Sequence, residues 1–113
     1  MRKEKVSLNY MDIVFVHAQD KPFNTDEKGI VTVDVPNTGF FNKLAQRFWN
    51  KPEVSHIELD KFGSVMWLAI DGKNTVQDVY SLMEDSFPEE DRMLDRVVTF
   101  MHTLQNNGFV VVK

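Results

Sequence analysis

Residues 59–80 decide the fold of this chain, and they have the sequence LDKFGSVMWLAIDGKNTVQDVY. The first half predicts an apolar helix, because apolar side chains recur three and four positions apart. Asp71 and Gly72 predict a tight turn, and Gly72 suits the left-handed position that follows a helix end. Thr75 and Asp78 predict an N-cap and a capping box that begin a second helix. Two helices joined so closely indicate a helix-turn-helix unit, which points to recognition of a nucleic acid or a peptide rather than to catalysis.

The first of these helices is expected to supply much of the core. Its apolar stripe is wide, because two further apolar side chains lie beside it, and a helix that is apolar nearly all round is buried nearly all round. We therefore expect Trp67 in the core and not at a site that stacks on a ligand. The stripe comprises Phe62, Val65, Met66, Ala69 and Ile70, widened by Trp67 and Leu68.

The composition limits the class of protein. At 113 residues the chain is expected to form a single domain over residues 13–113, with residues 1–12 loosely held. Its 42% apolar and 27% charged residues are ordinary for a globular protein, and its net charge of -4 argues against non-specific binding to nucleic acid or anionic membranes. The sequence has no cysteine, which excludes disulfides and thiolate metal sites. With no signal peptide or membrane span in the pattern, we expect a cytoplasmic protein.

Alternating side chains before residue 59 predict a small antiparallel sheet. Ile30–Val35 alternates and predicts a half-buried strand. The turn residues of Asp26–Gly29 indicate a hairpin between this strand and an extended segment that starts near Pro22. Ile13–Val16 is a shorter apolar run that forms either a strand or a cover over the core. Residues 54–59 alternate as well and predict a further strand, one face of which carries Val54, His56 and Glu58.

Residues 36–53 predict an extra helix between the last two strands. Phe41, Leu44, Ala45 and Phe48 have helical spacing, and Pro52 ends the pattern because the residue before proline avoids the α region. Two aromatic residues of this segment are candidates for an interface through which the chain would form a homodimer: Phe40 and Trp49.

Residues 88–112 predict a third helix and a last strand. Pro88 is expected to start the helix, with the carboxylates of residues 89–91 in its first turn, where the helix dipole favours anions. Gly108 is expected to end it, and Phe109–Val112 predicts a short strand. The expected fold is therefore α+β, with a small antiparallel sheet followed by a three-helix bundle and an extra helix inserted before the third strand. The predicted buried stripe of the third helix comprises Leu94, Val97, Val98, Met101 and Leu104.

The ordered residues of the carboxyl-terminal half resemble the pyrroloquinoline quinone biosynthesis protein D (PqqD) family. The resemblance covers roughly residues 54–112 and rests on the whole set rather than on any one piece. The set in the helix-turn-helix stretch is Leu59, Asp60, Gly63, Val65, Trp67, Leu68, Ile70, Asp71, Gly72, Thr75, Val76, Val79 and Leu82. It continues with Phe100, Leu104, Asn107, Gly108, Phe109 and Val110.

The resemblance implies a winged helix-turn-helix-like domain without catalytic residues or cofactor. Such a domain acts as a peptide chaperone, also called a precursor-peptide recognition element, for pyrroloquinoline quinone or another peptide-derived product. It implies two partners, the leader of a ribosomally made precursor peptide and a peptide-modifying enzyme such as a radical S-adenosylmethionine enzyme. The leader is expected to add as a strand to the third strand, in a groove against the third helix.

The candidate peptide-binding residues follow from that expectation. An unpaired strand edge offers backbone N–H and C=O groups, while alternate side chains select the sequence. On the strand the candidates are Val54, His56 and Glu58, unless that strand is already paired and its polar side chains are merely solvated. On the third helix they are Arg92, Met93, Arg96 and Phe100. The other interpretation of this helix is that the arginines pair with Glu89, Asp91 or Asp95, and that Met93 and Phe100 lie at the margin of the core.

Other functions have less support in the sequence. The three histidines, His17, His56 and His102, lie on a predicted loop, strand and helix without the spacing of metal ligands, so we expect no metal site. No catalytic motif or phosphate-binding loop is present in the pattern. Binding to DNA as a winged helix-turn-helix regulator is an alternative, but the exposed residues of the second and third helices are largely acidic where phosphates would lie.

Overall fold

The computed structural model describes residues 10–36 and 54–113. Over these residues the fold is α+β, with two small antiparallel sheets and three helices. The predicted helix within residues 36–53 lies outside the described residues, as do Phe40 and Trp49. The elements, in chain order, are β1 (Phe15–His17), β2 (Phe23–Thr25), β3 (Val31–Pro36), β4 (Val54–Glu58), α1 (Lys61–Ala69), α2 (Val76–Ser86), α3 (Met93–Asn106) and β5 (Val110–Val112).

The larger sheet has the strand order β2-β3-β4. The predicted hairpin is confirmed, since Phe23 of β2 lies opposite Val33 of β3. Its turn is fixed by Asp26, whose Oδ1 accepts from the N–H groups of residues 28 and 30, and by Gly29 with φ of 82°. On the other side of β3, Val33 lies opposite Ile57 of β4. Because the side chains alternate, Val31 and Val33 both point into the core, where they are fully buried.

The smaller sheet pairs the two ends of the described chain. β1 and β5 are antiparallel, with Val16 opposite Val111. The last strand that the sequence predicts is thus confirmed. An isolated bridge from Val14 to Thr75, and a hydrogen bond from the N–H of Val76 to the carbonyl of Ile13, attach β1 to the start of α2. This sheet therefore closes the side of the domain where α1 turns into α2.

The helix-turn-helix stretch forms as the sequence predicts. Asp60 caps α1 by accepting from the N–H of Gly63, and Thr75 and Asp78 form a reciprocal capping box on α2. Between the helices, Asp71 Oδ1 accepts from the N–H groups of residues 74 and 73, which hold the pKa of that carboxyl below its usual value. Gly72 has φ of 80°, which a side chain would disfavour.

The third helix begins later than predicted. Pro88 lies in a turn in which the N–H of Glu90 donates to the carbonyl of Phe87, and α3 starts at Met93. Arg92, the residue before the helix, has the left-handed φ of 54°, so the helix cannot extend back through it. The prediction that Leu94 and Leu68 are buried is also wrong. Leu94 is 44% exposed and Leu68 is 45% exposed, because each lies at the margin of its apolar stripe.

The core is closed around a fully buried Trp67. The ring of His17 stacks on the indole at 4.2 Å between centroids, and Phe23 and Phe109 contact the indole edge-on. We call these four residues the Trp67 cluster. His17 ends β1 and does not lie in a loop as predicted. Burial lowers the pKa of His17, although a 2.8 Å hydrogen bond to the carbonyl of Trp67 and the charge of Asp71 partly oppose the shift.

Two further details complete the core. Tyr10 and Met11 pack against it, and burial raises the pKa of Tyr10 to about 12. Ser64 on α1 is completely buried, and its hydroxyl accepts from the N–H of Val31 at 2.8 Å and lies 3.4 Å from the carbonyl of Leu59. Because a buried N–H without a partner is costly, this hydroxyl fixes α1 against β3.

No helix in the described parts of the chain is long and apolar enough to cross a membrane.

Candidate functional site

β4 presents one unpaired edge among the described strands. It pairs with β3 on one side, and within residues 10–36 and 54–113 no strand pairs with its other side. The N–H of Leu59 donates to the carbonyl of Val31, which fixes which residues of β4 bond to β3. Since the bonding direction alternates along an antiparallel strand, the backbone groups of residues 54, 56 and 58 point away from β3. These are the alternate positions that a further strand would use.

The exposed face of this edge carries a short polar contact. His56 lies opposite Asp34 in the register, and its Nδ1 is 2.6 Å from Asp34 Oδ1. Glu58 is exposed beside it, opposite Thr32. On the other face, Ile57 remains 39% exposed although it lies opposite the fully buried Val33, because nothing described covers that end of the sheet. β4 therefore has a polar face, an apolar face and outward backbone groups that pair with no other described strand.

A groove of about 500 Å³ lies directly after β4 in the chain, between the start of α1 and the side of α3. Leu59 joins β4 to the groove, since the next residue, Asp60, is one of the groove residues. The groove is open to solvent and mixes aromatic, charged and hydroxyl side chains. It is lined by Asp60, Phe62, Asp91, Arg92, Asp95, Arg96, Thr99, Phe100 and Thr103.

The apolar surface of the groove is aromatic. Phe62 and Phe100, both partly buried, contact edge-on with ring centroids 6.4 Å apart, and the ring centroid of Phe87 lies 5.4 Å from that of Phe62. We call these three residues the Phe62 cluster. Gly63 lets α3 come close to α1 here, because a Cβ at this position would lie 3.2 Å from Phe100 Cζ. The width of the groove therefore depends on the missing side chain at residue 63.

Both groove arginines have acidic partners. Arg92 Nη2 lies 3.4 Å from Asp95 Oδ2, and Arg96 forms an ion pair with Glu90. The guanidinium carbon of Arg96 also lies 4.5 Å from the centroid of the Phe62 ring, a cation–π contact. The pair of Arg92 with Asp95 is one that the sequence predicts, although Arg92 lies just before α3, whereas Glu90 is not among the predicted partners. Their charges are thus already compensated within the protein.

The comparison with protein families gives a direct result. The model of the family described as Coenzyme PQQ synthesis protein D (PqqD) matches residues 50–110. The chain belongs to the PqqD family. The resemblance seen in the sequence is thereby confirmed, and the match includes β4, all three helices and every residue that lines the groove. Comparisons with curated proteins and with solved structures found no match.

The structure brings some of the predicted PqqD site residues together and separates others. Arg92, Arg96 and Phe100 line one groove. His56 and Glu58 lie on the strand that leads into it, and the backbone of Val54 begins that strand opposite Pro36. Met93 differs, since it is only 4% exposed and belongs to the core.

Sequence reasoning missed several groove residues of this PqqD-family chain. Periodicity places Phe62 in the buried stripe, and Asp60 is indicated only by the family pattern. The spacing of Thr99 and Thr103 could have indicated them, because they follow Asp95 at intervals of four residues and so lie on the same face of α3. Among the described residues, no group of three or more histidine, aspartate or glutamate side chains could hold a metal ion.

Proposed function

We propose that this PqqD-family chain is a non-catalytic peptide chaperone. It binds the leader of a ribosomally made precursor peptide by strand addition to β4 and presents it to a peptide-modifying enzyme, such as a radical S-adenosylmethionine enzyme. The observation that carries the proposal is the unpaired edge of β4 continuing into the groove beside α3. Main-chain hydrogen bonds at such an edge supply affinity, and the neighbouring side-chain surface supplies selectivity.

Both parts of the proposed site have the chemistry that a peptide needs. The outward N–H and C=O groups of residues 54, 56 and 58 can complete an antiparallel or a parallel ladder. An added strand would place alternate side chains beside Ile57, whose side chain is partly exposed. The strand would then continue toward Phe62 and Phe100, which offer a partly open aromatic surface.

The arrangement of the helices also supports a winged helix-turn-helix-like domain. α1 and α2 are joined by residues 70–75, α3 packs against α2, and the β2-β3 hairpin precedes the helices in the chain as the candidate wing. Such domains bind DNA when their exposed helix surface is basic. Here the exposed residues of α2 and of the segment before α3 include Asp78, Glu84, Asp85 and Glu89. Because carboxylates repel phosphates, this surface supports a peptide ligand over DNA.

The proposal can be tested by titration. Synthetic peptides encoded by short reading frames beside this gene would be added to the isotope-labelled protein and followed by NMR. We expect saturable shifts in the amides of residues 54–59 and along α3. If none of these peptides produces saturable shifts there, the proposed function fails.

A pair of proline variants separates strand addition from a general effect. His56→Pro removes an N–H from the free edge of β4, and proline is tolerated at positions where the N–H is unpaired. Val112→Pro is the matched control, because β5 bonds to β1 through Val111 and the N–H of Val112 points away from β1. We expect His56→Pro to weaken peptide binding and Val112→Pro to leave it unchanged. Equal losses in the two variants would contradict strand addition at β4.

A further inference from the structure

We infer that the peptide which fits this groove carries a large apolar side chain next to a lysine or an arginine. The inference rests on the proposed function and names the chemistry of the ligand at the same site. It follows from three features of the groove: the partners of its arginines, its uncompensated carboxylates and the position of its aromatic surface.

The arginines are poor candidates for binding an acidic peptide. To bind a ligand carboxylate, Arg92 would have to leave Asp95, and Arg96 would have to leave both Glu90 and the Phe62 ring. Each exchange replaces one ion pair by another of similar kind, so little net attraction remains. The released protein carboxylates would also lie beside the incoming one and repel it.

The carboxylates of the groove outnumber its cations. Asp60, Asp91 and Asp95 line it together with only two arginines. Asp95 pairs with Arg92, and Asp60 uses its Oδ1 as the cap of α1. Asp91 has no hydrogen-bond or ion-pair partner among the described residues, and it is exposed. A basic side chain of the peptide could therefore pair with Asp91 without displacing any contact.

The surroundings extend this negative character. Glu89 and Glu90 lie in the turn immediately before Asp91, and Asp85 lies near the end of α2. Arg96 compensates Glu90, while Glu89 and Asp85 are exposed. A cation that approaches the groove from this side meets a favourable field, which salt would screen over about 10 Å. Charge complementarity thus favours a basic segment of peptide.

The apolar anchor follows from the Phe62 cluster. Phe62 and Phe100 both line the groove, and both keep part of their rings accessible. Large apolar or aromatic side chains of a ligand would bind most favourably to such a surface, because their contact removes ring area from water. Asp91 lines the same groove as the two rings, so the anchor and the basic side chain should be close together in the peptide sequence.

A phage-displayed library of random twelve-residue peptides provides the test. It would be selected against the whole protein and, in parallel, against His56→Pro. We expect the wild type to enrich peptides in which a lysine or an arginine lies within a few residues of a large apolar residue. Enriched peptides that are acidic or show no charge preference would overturn the inference and leave the proposed function standing. No enrichment over His56→Pro would count against strand addition itself.

Single-residue variants then test the role of Asp91. For an enriched peptide made synthetically, we expect Asp91→Asn to weaken binding roughly twofold to fivefold, as for one exposed ion pair. Changing the basic residue of the peptide to glutamine should weaken binding by a similar factor, and the two losses should not add. Glu27→Gln is the matched control, because it removes an exposed carboxylate in the β2-β3 turn. Equal effects of Asp91→Asn and Glu27→Gln on affinity would overturn the inference.

Discussion

The two aromatic clusters on α1 differ in how completely they are covered. Phe62 and Trp67 are five positions apart, which places them roughly 140° apart around the helix. The Trp67 cluster is closed, because β1, β2 and the residue before β5 surround the indole. The Phe62 cluster is open on one side, where α3 contacts α1 near Gly63 and leaves the groove. The same kind of side chain thus stabilises the fold in one place and remains accessible to a ligand in the other.

The largest expected effect is on stability, at the closed cluster. Trp67→Ala removes a fully buried indole together with the stack on His17, and we expect it to lower the free energy of unfolding by about 3–5 kcal/mol. Urea denaturation followed by circular dichroism would measure this. Leu68→Ala is the control on the next, exposed residue, with an expected change within about 0.5 kcal/mol. A loss at Trp67 no greater than that at Leu68 would remove the contrast between the clusters.

At the Phe62 cluster we expect a smaller loss of stability than at the Trp67 cluster, together with a loss of peptide affinity. Phe100→Ala removes a partly buried ring, so we expect a loss of stability of about 1–3 kcal/mol, less than for a buried aromatic residue. Peptide binding should weaken by at least about tenfold, as for an aromatic anchor at an interface. Leu94→Ala is the control on the same helix, because Leu94 is exposed outside the groove. Fluorescence polarisation with a labelled peptide would measure both variants. Unchanged affinity in Phe100→Ala would show that the open cluster is not part of the binding surface.

A smaller effect on stability is expected when the groove is narrowed. In Gly63→Ala the new methyl group would lie 3.2 Å from Phe100 Cζ and 3.1 Å from Asp60 Oδ1, so these two groove side chains must both give way slightly. The higher helix propensity of alanine offsets part of that cost, and we expect a net change within about 1 kcal/mol. Peptide affinity should fall although stability hardly changes. Thermal melts together with the binding assay would separate the two, and a variant that binds normally would contradict this account of the groove width.

The smallest expected effect is a pH dependence of stability that arises in the Trp67 cluster. Burial lowers the pKa of His17 from its ordinary value of 6.5, so the unfolded chain binds a proton at a pH where the folded chain does not. The contribution of the neutral ring to the free energy of unfolding is therefore fully present above pH 6.5. It is lost as the pH falls from there through the lower pKa of the folded state. His17→Gln should reduce the pH dependence of stability in that window. His102→Gln is the control on an exposed histidine, and equal behaviour of the two variants would refute the assignment to His17.

The parts of the fold that depend on local chemistry could be predicted from the sequence. The capping box at Thr75 and the turn at Asp71 involve residues two or three positions apart, so their residue types alone indicate them. The start of α3 could not be predicted in this way. Pro88 is compatible with a first helical turn and with the turn that forms, and the left-handed backbone of Arg92 leaves no local signal.

Most of the groove depends on contacts that are distant in sequence. Periodicity assigned Phe62 to the core, because it shows which face of a helix is apolar but not how much of that face another helix covers. The approach of Phe100 to Gly63 joins α1 to α3. The stack of His17 on Trp67 joins residues fifty positions apart. The strand edge was easier to predict, since the alternation of residues 54–59 and the family resemblance indicated the same residues.

The buried hydroxyl of Ser64 has a consequence for experiments in solution. It holds the N–H of Val31, a residue whose backbone carbonyl accepts from Leu59 at the end of the β4 ladder. That N–H can exchange its hydrogen with solvent only when α1 separates from the sheet. The hydrogen-exchange rate of the Val31 amide therefore measures how often α1 separates from the sheet. Comparing this rate with and without peptide would show whether a ligand at β4 stabilises the whole domain or only its edge.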